Sequence, residues 1–342
     1  MLEKVSLCVI ARNEESVIEN LFRDIEKQDY SHEDMEIVLV NSMSTDATRK
    51  LMEDFAKKKR EKSFAKVLVK DNPKGNQASG WNVAISAASG DVIIRVDAHA
   101  MLPSDFVRKN MNCINSGEYV CGGPRPNIAV KKGKWTDMLL AVESSLFGSS
   151  IASYRRKDTE KKYVKSIFHG AYRKEVFQKA GLFNENLGRT EDNELHYRIR
   201  QAGYKICYDP EIISYQHVRS TWRGMLKQKY GNGFWIGLTS KVCPKCLSVY
   251  HFVPFVFVIA LLVGIILGVT VSWMPFLLLL ILYGIFCLFG MISAFIGKGW
   301  NIVFLLMPVV FLTLHIAYGV GTVVGFICVV KQKEKNRNDS FR

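Results

Sequence analysis

Two periods of hydrophobic patterning alternate over the first hundred residues. Val5 to Ile10, Glu36 to Val40, Lys66 to Val69 and Asp91 to Val96 are short runs rich in branched side chains, the pattern of buried strands. Between them, Glu14 to Lys27 sets Val17, Ile18, Leu21, Phe22 and Ile25 at helical spacing, and Thr45 to Lys59 and Gln77 to Ala88 read as further helices. Strands alternating with helices predict right-handed crossovers and a mostly parallel sheet covered on both faces, an α/β fold. Ligands of such sheets bind beyond the carboxyl ends of the strands. Arg12, Asn13, Glu14, Asn41, Ser42, Asp46, Asp97 and His99 all fall there.

The pattern changes near residue 250. From His251 to Val330 only Lys298 carries a formal charge, and apolar segments near 252–272, 275–296 and 302–330 each approach or exceed the roughly 20 residues needed to cross a bilayer. The chain therefore reads as residues 1–219 forming the α/β domain, 220–250 an interfacial segment mixing Trp, Tyr and Lys, 251–330 a multi-pass transmembrane region, and 331–342 a basic tail. Three full crossings would carry that tail to the far side, against the positive-inside tendency, so a re-entrant third segment stays open.

The formal net charge is +14, with clusters at Lys57 to Arg60, Lys131 to Lys134 and Arg155 to Lys157. Such clusters suit anionic lipid headgroups or phosphorylated substrates, or are simply solvated. Scattered basic residues without a nucleic-acid motif argue against nucleic acid as a partner. The eight cysteines follow no disulfide framework, and Cys243 and Cys246 lack the second pair a zinc site needs. With no secretory-signal pattern after Met1, the α/β domain is expected on the cytosolic side.

The segment Val92 to Ala100 holds the sharpest chemical signal. Asp97 and His99, two positions apart in an extended segment, could reach one divalent metal or one pyrophosphate. A strand-end Asp capping a turn and a surface histidine fit the same spacing.

Several strand-end motifs together resemble a known family. Ala11-Arg12-Asn13-Glu14-Glu15, Asn41-Ser42-Met43-Ser44-Thr45-Asp46-Ala47-Thr48, Asn82, Asp97-Ala98-His99-Ala100 and Thr190-Glu191-Asp192-Asn193 to Tyr204 look like family 2 glycosyltransferases. The resemblance covers about residues 4 to 235 and implies the GT-A fold, a nucleotide-sugar-binding, Rossmann-like sheet. The Asp-Ala-His-Ala form, with Gly122-Gly123-Pro124 and Tyr318-Gly319-Val320-Gly321, is most similar to the succinoglycan-type exopolysaccharide glucosyltransferases.

By this resemblance Asp192 is the base that takes the acceptor hydroxyl proton, and Glu191 orients the acceptor or supports the loop. Asp97 and His99 are the metal candidates, with His99 where the family commonly has a second acid. Imidazole suits Mn²⁺ better than Mg²⁺. Nucleotide-sugar contacts are expected from Ala11, Arg12, Asn13, Glu14, Asn41, Lys74, Asn76 and Asp97, Asn41 standing where the family commonly has Asp. His169, Gly170 and Gln228 are expected at the acceptor or diphosphate. The expectation is an inverting hexosyltransferase anchored in the inner membrane, taking a hexose from a nucleotide-diphosphate sugar, UDP in the first instance, to a polyprenyl-linked or growing glycan acceptor. A non-catalytic sugar-nucleotide-binding scaffold and a nucleotidyltransferase are the alternatives; the latter lacks its Gly-rich phosphate loop after the first strand.

Overall fold

A computed structural model describes residues 4–59, 63–128, 133–145, 148, 159–219 and 221–339. The chain begins β1 (Val5–Ala11), α1 (Ile18–Glu26), β2 (Met35–Asn41), α2 (Thr48–Lys59), β3 (Lys66–Asp71), α3 (Gln77–Ala87) and β4 (Val92–Asp97). There follow β5 (Ala100–Met101), α4 (Phe106–Asn115), β6 (Val120–Gly122), β7 (Asn127–Ile128), α5 (Lys134–Ser144), β8 (Lys162–Tyr163) and β9 (Gly170–Arg173). Next come α6 (Lys174–Ala180), α7 (Glu191–Gln201), β10 (Cys207–Tyr208) and β11 (Tyr215–His217). The remainder is helical: α8 (Trp222–Val242), α9 (Val253–Thr270), α10 (Met274–Lys298) and α11 (Met307–Asp339). Two compact units result, Met1–Pro126 with Ala152–His217, and Asn127–Ile151 with Val218–Arg342.

The first unit is built on an eight-stranded mixed sheet in the order β3-β2-β1-β4-β9-β6-β10-β8. β1 pairs in parallel with both β2 and β4, so the strand order reverses at β1 and opens a crevice at its carboxyl end. The register sets Ala11 opposite Asn41 and Ile10 opposite Asp97 at that edge. Successive strand residues point to opposite layers. Leu7 and Val9 pack with Leu21, Ile25 and Phe55 of α1 and α2, whereas Cys8 and Ile10 pack with Trp81 and Ile85 of α3. Both faces being covered explains why β1 and β2 are apolar without alternation.

Helices α1 and α2 begin at Ile18 and Thr48, later than their periodicity indicates. The intervening residues interlock instead: the backbone N–H of Thr45 donates to Asn13 Oδ1, that of Glu14 to Thr48 Oγ1 and that of Ala47 to Glu15 Oε2, each at 2.8 Å. Asn13 takes φ 57°, a left-handed conformation that asparagine tolerates better than most residues. Local polar pairing has replaced the first helical turns and holds the two loops together at the sheet edge.

In the second unit α8 and α11 cross on glycines. A Cβ at Gly321 would lie 2.2 Å from the Tyr230 carbonyl oxygen, and one at Gly233 would lie 1.9 Å from that of Tyr318, so only glycine permits the approach. Within this unit the buried Lys229 and Glu143 pair at 2.9 Å. Three described helical stretches, Val249–Thr270, Met274–Lys298 and Ile302–Cys328, are long and apolar enough to cross a membrane, consistent with membrane anchoring.

Candidate active site

The carboxyl edge of β1 to β4 gathers the polar residues singled out from the sequence. Ala11 is buried, and its carbonyl accepts from the Ser42 N–H. Arg12 Nη1 donates to the Gly75 carbonyl at 3.1 Å, spanning the crevice loops. Glu14 Oε1 lies 3.2 Å from His99 Nδ1. If Nδ1 carries the proton, Nε2 keeps its lone pair, which faces the Gln216 amide at 3.3 Å. A carboxylate behind Nδ1 is the arrangement that orients an imidazole as a metal ligand.

Asp97 is buried at the end of β4. His169, from the segment leading into β9, lies beneath it: its Nε2 accepts the Asp97 N–H at 3.4 Å and its Nδ1 faces Ser214 Oγ at 2.9 Å. Burial depresses the His169 imidazole, opposed by the Asp97 carboxylate 3.8 Å from its Nε2. Burial alone would raise the Asp97 carboxyl, but His169, His99 and Arg95 outweigh it and hold it well below the usual carboxylate range. Gly170 packs between strands, where a Cβ would lie 2.6 Å from the Cys121 carbonyl oxygen.

Thr190 is the N-cap residue of α7, and Glu191, Asp192 and Glu194 fall in its first turn, where negative charge complements the helix dipole. Arg95, one residue in from Val96 on β4 and only 1% exposed, reaches Asp192 Oδ1 at 2.9 Å. Its guanidinium carbon sits 4.6 Å from the Trp81 ring centroid and 4.8 Å from that of Phe183. Arg95 and Asp97 point to one face of β4, and the Arg95 charge acts on Asp97 as well as pairing with Asp192. Burial raises the Asp192 carboxyl, with Arg95 opposing. Burial and the neighbouring Asp192 charge push Glu191 up as well. Behind them, Tyr172 Oη and Ser166 Oγ each lie 2.8 Å from a ring nitrogen of His196, whose imidazole burial pushes down to about 3.

The remaining candidates are placed as follows. Asn41 donates to Asp71 Oδ1 at 3.0 Å and accepts the Ser44 N–H, while Asp71 also takes a two-pronged contact from Arg49. Lys74 pairs with Glu185, which also accepts from Asn82. Asn76 caps α3 by accepting from the Ser79 N–H at 2.8 Å. Gln228 lies on α8, in the second unit. Arg95, Asp71 and Glu185 escaped the sequence reading. The one available signal was an arginine inside the otherwise apolar run Val92 to Val96.

The crevice at the carboxyl end of β4 holds Asp97, and Glu191 and Asp192 open α7; comparison with known proteins gives the family. A family model described as glycosyl transferase family 2 matches residues 6–181, just over half the chain, and the chain belongs to that family. Among curated relatives, a dolichyl N-acetyl-α-D-glucosaminyl phosphate 3-β-D-2,3-diacetamido-2,3-dideoxy-β-D-glucuronosyltransferase of Methanococcus voltae is 25% identical over 273 residues, 78% of this chain and 83% of that one. Succinoglycan biosynthesis protein ExoA of Rhizobium meliloti (strain 1021) is 26% identical over 234 residues, 67% of this chain and 68% of its own. In structure, the mannosyltransferase PcManGT of Pyrobaculum calidifontis aligns with a TM-score of 0.61 at 16% identity, over 94% of this chain and 88% of that one. The fold is thus GT-A-like, and the protein is a glycosyltransferase that uses nucleotide sugars for glycan synthesis.

Proposed function

We propose that this protein is a membrane-anchored inverting hexosyltransferase that moves a sugar from a nucleotide-diphosphate donor, a UDP-sugar in the first instance, to a polyprenyl-linked or growing glycan acceptor. The observation that carries the reading is the buried Arg95, paired with Asp192 and acting by its charge on Asp97 at the carboxyl edge of the sheet. Asp192 takes the proton of the acceptor hydroxyl as its oxygen attacks the anomeric carbon from the face opposite the diphosphate. The new glycosidic C–O bond forms as the bond to the diphosphate breaks, and the electron pair leaves with the nucleoside diphosphate. Glu191, kept neutral by burial, can donate a hydrogen bond to the acceptor.

The donor set at Asp97 suits a divalent cation. Among the described residues no three His, Cys, Asp or Glu side chains form a metal cage. An ionised carboxylate and an oriented imidazole are donors that fit a divalent cation. Asp97 and His99 would hold it, Mn²⁺ in preference to Mg²⁺, and when bound it neutralises charge developing on the leaving diphosphate. Arg12, Asn13, Glu14 and Asn41 line the nucleoside end, and Lys74 and Asn76 the diphosphate end. His169 acts by fixing Asp97.

The name of the Methanococcus voltae relative, with its dolichyl phosphate acceptor, supports a lipid-linked acceptor here. The three apolar helices support membrane anchoring; the reading takes the membrane to be the inner one and the catalytic unit to be cytoplasmic. The test is to incubate membranes with a panel of labelled nucleotide sugars, with and without Mn²⁺ or Mg²⁺, and to identify the lipid-extractable product. A labelled lipid that disappears on chelation is expected; donor binding without turnover across a broad acceptor panel overturns the reading in favour of a scaffold.

A further inference from the structure

We infer that Arg95 is a positioning residue for transfer, fixing the Asp192 carboxylate in place and keeping it available as a base. The inference rests on the reading of Asp192 as that base. Burying a guanidinium is strongly unfavourable unless it is paired, so a single cation inside an apolar strand calls for a partner. Here the cation is 1% exposed and lies between the rings of Trp81 and Phe183, which fix its plane. Its Nη2 stands 2.9 Å from Asp192 Oδ1, off the axis of an aligned hydrogen bond, while Nε and Nη1 have no hydrogen-bond partner among the described residues. Asp192 is the ion-pair partner of this side chain, and Tyr172 engages it as well.

Every charged or titratable group facing Asp192 has a definite sign. Burial and Asp97 push its carboxyl up, and Arg95 and Arg125 pull it down; Glu191 shares its helix turn and Tyr172 faces it from β9. Taking away Arg95 leaves burial and Asp97 opposed by Arg125 alone. The carboxylate then picks up its proton at higher pH, and a protonated Asp192 cannot accept another.

The experiment is kcat/KM for transfer against pH for the full-length protein, Arg95→Lys, Arg95→Met and Asp192→Asn, each checked for folding by thermal unfolding. Arg95→Met is expected to move the acidic limb up by about one pH unit, with much of the rate returning on the alkaline side. Arg95→Lys keeps the limb near its original position. The milder Phe183→Leu, which removes one of the two rings, moves it the same way by less and serves where the Met variant does not fold. A limb that stays put in both while the rate falls uniformly means Arg95 is only structural and overturns the inference. Transfer persisting in Asp192→Asn overturns the base assignment itself, a separate outcome.

Discussion

Arg95 and Asp192 meet at 2.9 Å although one lies on the fourth strand and the other opens the seventh helix. Because Asp97 follows Arg95 by two residues on the same strand face, this contact places the acid of one motif and the acid of another within the field of one buried cation. The Thr190-Glu191-Asp192 turn is therefore more than a helix terminus complementing a dipole, since a dipole alone would not require a buried cation from a central strand.

If Asp192 is the base, Asp192→Asn keeps the shape of the side chain and removes its capacity to accept a proton. Transfer is expected to fall by about 10²–10⁴-fold. Donor affinity, measured by titration calorimetry in detergent, should change little. A variant that transfers sugar at a normal rate refutes the role.

Asp97→Asn should show the opposite split. The carboxylate is held ionised, so its charge is present throughout the neutral range. Replacing it should weaken donor binding in the presence of Mn²⁺ by at least about tenfold and abolish the effect of chelation on that binding. Unaltered chelator sensitivity would place the cation elsewhere. His99→Ala should give a smaller loss, because imidazole is the second ligand in this set.

The strands and crevice were legible in the sequence because parallel strands buried on both faces must be continuously apolar, and β1, β2 and β4 are buried along their whole length. Polar residues clustered at their carboxyl ends then have few explanations. The later strands were not legible: β5, β7, β8 and β10 have two residues each, too short to show a period. Arg95 gave no periodic signal, since its meaning depends on a partner in a distant helix. His169 was legible as a site residue, but its position beneath Asp97 follows from the pairing of β9 with β4, which no local pattern contains.

Asn41 offers a test of why an amide stands at the end of β2. Its side chain meets Asp71 at 3.0 Å across the parallel β2 and β3 pair, so an aspartate there would confront a like charge. Asn41→Asp is expected to destabilise the protein by on the order of 1 kcal/mol, moderated by the exposure of Asp71 and its pairing with Arg49. Combining it with Asp71→Asn should recover most of the loss. Additive destabilisation in the double-mutant cycle would show that the two side chains do not interact.

Glu191 gives a stability signature whose sign is opposite to that of a salt-bridged acid. Burial, helped by the Asp192 charge, raises its folded-state pKa above the unfolded value. Below the unfolded value both states hold the proton and the folded state suffers no penalty. As pH rises between the two values, unfolding releases a proton, so stability falls; above the folded value the full cost of a buried charge remains. Glu191→Gln imitates the protonated form. It should match the parent protein in mild acid and become progressively more stable than it toward alkaline pH, by about 1.4 kcal/mol for each pH unit separating the two pKa values. Thermal unfolding of both proteins across pH in the same detergent checks this. A stability difference that is constant with pH, or that grows toward acid, means the Glu191 carboxyl is already ionised in the folded protein at neutral pH and cannot act as a hydrogen-bond donor to the acceptor.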